Sequence, residues 1–393
     1  MTQTTQTRVP SLRFPEFSGE WEEKKLGEIS QIYDGTHQTP KYVDIGVPFY
    51  SVEHLTSNNF QNTKFISEKV FSNECKRVKI EKGDILLTRI GDIGTNKFID
   101  WDCRASFYVS LALIKPFRVF SGSFISHSLS ATSFQRELWR RSIHVAFPKK
   151  INLGEIGQCK ISLPTLPEQQ KIANFLSAVD DKVENLSEQV ALLERYKKGM
   201  MQKIFSQELR FKADDGSEFP AWEEKKLGDV FSITRGLVLA ASVVSPIKTS
   251  DYKYPVFSSQ TLKNGLMGYF NQHLYNNAIT WTTDGANAGK TIYRKGRFYC
   301  TNVCGVLISE EGFANQCIAE MTNKVTHKYV SYVGNPKLMN NVMEKIQISF
   351  PSLPEQQKIA DFLSAIDDKI DLAKQELEQA KTFKKGLLQQ LFV

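Results

Sequence analysis

One stretch of forty residues occurs twice in this chain, and any fold must accommodate both copies. Leu166 to Phe205 reads LPEQQKIANFLSAVDDKVENLSEQVALLERYKKGMMQKIF, and Leu353 to Phe392 reads LPEQQKIADFLSAIDDKIDLAKQELEQAKTFKKGLLQQLF. The copies align without a gap at an offset of 187 residues and are identical at 20 of 40 positions. A match of that length marks a tandem duplication.

Each copy reads as one long helix. Pro167 and Pro354 suit a first helical position, where the missing N–H costs nothing. Glu168 and Glu355 follow, where the helix macrodipole favours negative charge. Beyond them, apolar residues repeat on a heptad. In the first copy one seam is Ile172, Val179, Leu186, Leu193 and Met200; the other is Leu176, Val183, Val190 and Ile204, interrupted by Lys197. The second copy keeps the register with Ile359, Ile366, Ala373, Ala380 and Leu387, and with Leu363, Ile370, Leu377 and Leu391, interrupted by Lys384. This narrow stripe predicts coiled-coil helices of roughly 55 Å each at ~1.5 Å per residue. The nearest cover for one stripe is the other copy. The chain between them must fold and return, so an antiparallel pair is expected. Gly199 and Gly386 interrupt both helices at equivalent points, at ~1 kcal/mol each relative to Ala. Either the helix ends fray there or another helix or subunit comes close. Asp180-Asp181 and Asp367-Asp368 are adjacent helical residues that do not face one another, so they read as a solvated face or a subunit contact.

A shorter repeat frames the longer one. Trp21-Glu-Glu-Lys-Lys-Leu-Gly27 recurs from Trp222 to Gly228, and Leu12-Arg-Phe14 recurs as Leu209-Arg-Phe211. Each half is thus an opening motif, a variable mixed α/β region, an Ile-Ser-(Leu/Phe)-Pro motif and a long helix. The variable regions align only locally. A preserved frame holds geometry, whereas drifting contents choose ligands. Within them, Gly83 to Arg89 is a turn feeding an apolar strand, and Ala278 to Thr283 answers it. Both strands enter Gly-containing loops, Ile90 to Thr95 and Asp284 to Thr291, where glycine permits close backbone approach. Tyr33 to Tyr42 (YDGTHQTPKY) is a polar loop with aromatic ends. Ser123 to Arg141 reads as a helix with Phe134, Leu138 and Trp139 on one face and Arg136, Arg140 and Arg141 available for phosphates.

Several chemistries find no support. GANAGKT departs from a phosphate-cradling loop because Asp284 stands where the first glycine is required. No methyl-donor or dinucleotide signature occurs, the six histidines do not cluster, and nothing assembles a nucleophile, base and orienter. Cys75, Cys103, Cys159, Cys300, Cys304 and Cys317 form no Cys-x-x-Cys pair and read as reduced, buried thiols. No apolar run is long enough to span a bilayer and no signal-peptide pattern opens the chain, so a cytoplasmic protein is expected. The net charge of +7 is compatible with an acidic partner such as nucleic acid.

Two variable regions alternating with two Leu-Pro-Glu-Gln-Gln-Lys-Ile-Ala helices, each preceded by Trp-Glu-Glu-Lys-Lys-Leu-Gly, resemble the specificity subunit of a type I restriction-modification enzyme over essentially the whole chain. The resemblance implies an α/β (α+β) fold: two pseudo-twofold-related target-recognition domains separated by two long antiparallel coiled-coil helices. Each domain would read one half of a split site in double-stranded DNA. Two methyltransferase subunits carrying S-adenosylmethionine, and two ATP- and Mg2+-dependent restriction subunits, would dock on this scaffold in the bacterial cytoplasm. The chain itself would bind no cofactor or metal and catalyse nothing. The domains are expected as a tail over 1–20, a first recognition domain over 21–165, a helix over 166–208, a linker over 209–221, a second recognition domain over 222–352 and a helix over 353–393. Helix packing would fall on Ile172, Leu176, Val179, Val183, Leu186, Val190, Leu193, Ile359, Leu363, Ile366, Ile370 and Leu377. Base edges are read by hydrogen-bonding side chains of fixed geometry. The candidates are Thr36, His37, Thr39, Thr88 and Arg89, with Lys41, Lys97, Lys149 and Lys150 on phosphates; in the second domain they are Thr282, Thr283, Asp284, Asn287 and Lys290. Helix length would act as a ruler for the spacer between half-sites, roughly 55 Å being about one and a half turns of duplex at ~34–36 Å each. The repeat of Leu12-Arg-Phe14 at Leu209 further suggests that the N-terminal segment completes, beside the C-terminus, a junction made internally at 205–222. The rival readings are a coiled-coil adaptor without its own sequence readout, and a fused methylase or nuclease.

Overall fold

A computed structural model describes residues 8–260 and 262–393; the expected polar tail lies outside them as far as residue 7. The chain forms two compact units, 1–188 with 374–393, and 189–373.

In the first unit, β1 (Glu22–Lys25) pairs antiparallel with β6 (Lys160–Leu163). Between them lies an antiparallel sheet of β2 (Ser30–Asp34), β3 (Ile85–Thr88), β4 (Asn96–Phe98) and β5 (Leu111–Pro116), in the order β2-β5-β3-β4. A second four-stranded sheet contains Val47–Tyr50 beside Ser106–Phe107, in parallel. Two helices cover the first sheet: α1 (Gly122–Ser130) and α2 (Thr132–Arg141). The single helix expected over 123–141 is thus two. Ala131 is buried in an extended conformation, and the Gln135 side chain turns back to the Leu129 carbonyl at 2.7 Å, closing the break. Phe134 and Leu138 are buried, but Trp139 is half exposed, and Arg141 is tied to Glu137 and Glu155. α3 (Leu166–Phe205) starts in this unit and ends in the next.

The second unit repeats the plan. β7 (Glu223–Lys226) pairs with β14 (Gln347–Phe350) in the register of β1 with β6. One six-stranded sheet has the order β8-β13-β11-β12-β9-β10, with β8 Ser232–Arg235, β9 Tyr254–Phe257, β10 Leu266–Phe270, β11 Tyr275–Thr282, β12 Thr291–Cys300 and β13 Cys304–Ile308. Its first four strands reproduce β2-β5-β3-β4. β12 is long enough to pair in parallel with β9 as well, so the two sheets of the first unit are one sheet here. α4 (Gln316–Thr326) packs on it, and α5 (Leu353–Gln390) follows β14. Among the described residues no helix is long and apolar enough to cross a membrane.

The long helices run antiparallel wherever a unit holds both. Lys384 meets Asp180 at 2.5 Å in the first unit, and Lys197 meets Asp367 at 2.8 Å in the second. One residue number rises as its partner's falls, and each pair maps onto the other through the repeat. Ile172, Leu176, Leu186, Val190, Ile359, Leu363, Ile366, Ile370 and Leu377 are buried, and Val179, Val183 and Leu193 are half-buried. The lysines that break the seams are therefore clasps, and Asp180 and Asp367 are their partners rather than a solvated face. Burial opposes the charge of Lys197, but Asp367 and Glu320 outweigh it and hold the pKa above the ordinary lysine value.

Candidate nucleic-acid interface

The repeated motifs lock into one another. Glu168 is buried and takes two bonds at 2.8 Å from Arg13, which also bonds the Ser18 and Gly19 carbonyls. Glu355 is buried likewise and takes bonds from Arg210, which also reaches the Phe219 and Pro220 carbonyls. The next residue tethers the helix start to the sheet-covering helix. Gln169 Nε2 donates to the Pro164 carbonyl, while its Oε1 accepts from the Ser121 N–H that precedes α1. Gln356 does the same with the Pro351 carbonyl and the Asn315 side chain that caps α4. The Leu12 N–H donates to the Gln390 carbonyl at 3.0 Å, as Leu209 donates to Lys203. The N-terminal segment thus makes without a covalent link the junction that the chain makes internally.

These locks place equivalent loops at one end of each sheet. At the end of β2, Gly35 packs against the Phe107 carbonyl so closely that a Cβ would lie 2.1 Å from it; Gly236, after β8, meets the Cys300 carbonyl at the same 2.1 Å. No other residue fits either turn. Asp34, just before Gly35, gathers His37 at 2.7 Å, Arg89 at 3.7 Å and Arg77. Burial raises the Asp34 pKa, but the hydrogen bonds from His37 and Arg77 outweigh it and leave it below the ordinary carboxylate value. The loop after β3 is pinned to a second hairpin: Gly91 N–H donates to the Lys149 carbonyl and Ile151 N–H to the Arg89 carbonyl. The loop after β11 is pinned the same way, Gly285 to Pro336 and Leu338 to Thr283.

The sequence candidates divide by exposure. His37, Thr39, Lys41, Lys149, Lys150 and Lys290 are exposed, and Thr36, Lys97, Thr282, Asp284 and Asn287 are half-buried. Lys97 lies over Phe60 and Trp101, and Lys149 over Trp139 at 4.7 Å. Three candidates need correction. Thr88 is fully buried and bonds Asp92 and the Thr95 backbone. Thr283 is fully buried, its hydroxyl within hydrogen-bond reach of the Asp284 carboxylate and the Val303 carbonyl. Arg89 is buried beside the Ile151 carbonyl, and its pKa is lowered by burial although Asp34 opposes the shift. A strand end that feeds a loop is still inside the sheet, so these three side chains are buried and bonded within the protein rather than exposed. Arg77 and Lys337, which the sequence did not single out, are about half exposed beside these loops. Only the fold brings the end of the helix over 68–74 to Asp34.

Known proteins place this arrangement. The chain belongs to the family described as type I restriction modification DNA specificity domain, whose profile matches residues 18–195 and again 221–382. It is 37% identical over 141 residues to the type I specificity subunit S.MpnORF289P N-terminus of Mycoplasma pneumoniae, covering 35% of this chain and 74% of that protein. It is 24% identical over 403 residues to the MjaX specificity subunit of Methanocaldococcus jannaschii, covering 95% of this chain and 93% of the other. The crystal structure of the type I S subunit from M. genitalium has the same fold, with a TM-score of 0.71 at 16% identity over 98% of this chain and 99% of that one.

Proposed function

We propose that each unit reads one half of a bipartite site in double-stranded DNA, and that the paired helices carry two methyltransferase and two restriction subunits of a type I complex in the bacterial cytoplasm. One observation carries this reading: the frame is duplicated down to its Arg–Glu and Gln hydrogen bonds, while the loops it presents at the sheet ends differ. Asp34 precedes the Gly35 turn, and Arg235 precedes the Gly236 turn; their charges are opposite. Exposed Lys41, Lys149, Lys150 and Lys290 supply phosphate contacts that fix register, and His37, Thr39, Asp284 and Asn287 supply base contacts that choose sequence. We infer that the chain is non-catalytic, and that S-adenosylmethionine, ATP and Mg2+ serve the partner subunits, with the target adenine extruded into the methyltransferase.

Single-molecule methylation mapping tests this. DNA from cells expressing the chain with a type I methyltransferase subunit of the same host should carry a split motif with two methyladenines and a fixed gap. Exchanging residues 222–347 should change one half of the motif only. A stable complex that marks no motif would defeat the proposal.

A further inference from the structure

The hairpins pinned to the two Gly-containing loops share a feature that neither packing nor charge explains. In the first unit Ile143 pairs with Lys150, and in the second Ser331 pairs with Lys337. Each closed hairpin carries an apolar tip into solvent. Val145 is 97% exposed and Phe147 fully exposed; Tyr332 is 70% and Val333 91% exposed. A single exposed apolar residue is ordinary. Here an aromatic and a β-branched aliphatic side chain recur at equivalent tips in two regions whose sequences otherwise align only locally. The backbone bonds from Gly91 and Gly285 hold each tip beside a Gly-containing loop at a sheet end, the second of which carries Asp284 and Asn287.

The surroundings indicate what covers the tips. Exposed Lys149 and Lys150 flank the first, with Lys149 over the Trp139 ring and His144 tilted against the same ring. Lys337 closes the second hairpin, and exposed Lys290 lies in the loop to which that hairpin is pinned. An apolar tip with lysines nearby suits a polyanion whose interior is a stack of flat apolar rings. Proteins that kink or open a duplex insert such side chains between base steps. A half-site from which one base is extruded offers an unstacked neighbour to fill.

We propose that these hairpins are wedges: Phe147 in the first unit and Tyr332 in the second enter the duplex beside their own half-sites and stack against a base left exposed there, with Val145 and Val333 filling the step. This rests on the reading of each unit as a DNA half-site reader. It adds a stacking contact that carries no hydrogen-bond code.

The test uses the full chain in complex with its methyltransferase subunits, on duplexes bearing the mapped site with 2-aminopurine placed singly beside each half. Wild type should bind the site in preference to scrambled duplex and change the fluorescence at one position in each half. Phe147→Ala should abolish the change in the first half only and Tyr332→Ala in the second only, each weakening specific binding about tenfold, as loss of one base–aromatic stack does. Phe147→Trp should restore both. Both tips are solvent-exposed, so the variants should melt as wild type does. Preferential binding by wild type with unchanged affinity and fluorescence in both alanine variants would overturn the wedge and leave the half-site reading intact. Loss of the methyltransferase subunit from the variants, with DNA contacts unaltered, would assign the tips to a protein interface instead. Absence of preference in wild type would remove the half-site reading, and the wedge with it.

Discussion

The two copies of the frame lock are built alike and bonded differently. Glu355 accepts from Arg210 and also from Trp222 Nε1 at 3.0 Å; Glu168 accepts from Arg13, while the equivalent Trp21 Nε1 is buried without a partner. Trp21 instead meets the rings of Phe124 and Phe392 edge-on. Arg210 lies on chain that runs directly on from α3, whereas Arg13 reaches α5 only through noncovalent bonds. Duplication has thus preserved the geometry of the lock and redistributed its energy. The first lock concentrates its polar energy in one ion pair, and the second spreads it over three groups.

Removing the arginines breaks this comparison most severely. Stranding a buried carboxylate costs roughly 3–5 kcal/mol. Arg13→Ala should approach that cost, because among the described residues no other side chain donates to Glu168. Arg210→Ala should cost about 1–2 kcal/mol less, since Trp222 still donates to Glu355. Denaturant unfolding with hydrogen exchange at residues 12–21 and 209–222 would measure both. Equal losses would mean that the Trp222 bond contributes nothing.

The lysine clasps sharpen the contrast. Lys197 sits between two carboxylates, Asp367 and Glu320, whereas Lys384 holds Asp180 alone, with His127 at 3.8 Å from that carboxylate. Burial pushes His127 down to about 4, against the pull of Asp180, and Lys384 pushes the same way as burial. The unfolded chain therefore takes up this proton near pH 6.5, before the folded chain does. Stability from this group is complete above pH 6.5 and falls as pH drops towards 4, by roughly 3 kcal/mol in all. His127→Met, which installs the residue found at the equivalent turn of α4 (Met321), should flatten that part of the slope in the first unit. A slope unchanged by the substitution would mean that His127 titrates normally.

The heptads, the antiparallel return and the two-part plan were legible because they are periodic or repeated, and repetition needs no knowledge of contacts. The meaning of the repeated residues was not. Glu168 suits a helix start on dipole grounds, yet what buries it is Arg13, 155 residues away. Lys197 and Lys384 look like flaws in a seam until Asp367 and Asp180 arrive from the other helix. Among the proposed DNA contacts, Thr88, Arg89 and Thr283 turn out to be buried at strand ends, because nothing local shows where a strand leaves its sheet. The apolar tips at Phe147 and Tyr332 resemble core residues in a sequence and declare themselves only by exposure.

Gly199 and Gly386 test whether the copies remain equivalent where no partner is visible. A Cβ built at either glycine meets nothing within 4 Å, so no close contact inside this chain requires them. Each sits inside a continuous helix, where alanine is favoured by about 1 kcal/mol. Gly199→Ala and Gly386→Ala should therefore stabilise the isolated chain equally and additively, as read by thermal unfolding. The informative quantity is methyltransferase binding measured on the same variants. Unchanged binding would make both glycines relics of the duplication, tolerated near helix ends. Weakened binding on a stabilised chain would mean that a partner helix approaches the bare backbone, and a loss confined to one variant would show the two docking faces to have diverged as the frame locks have.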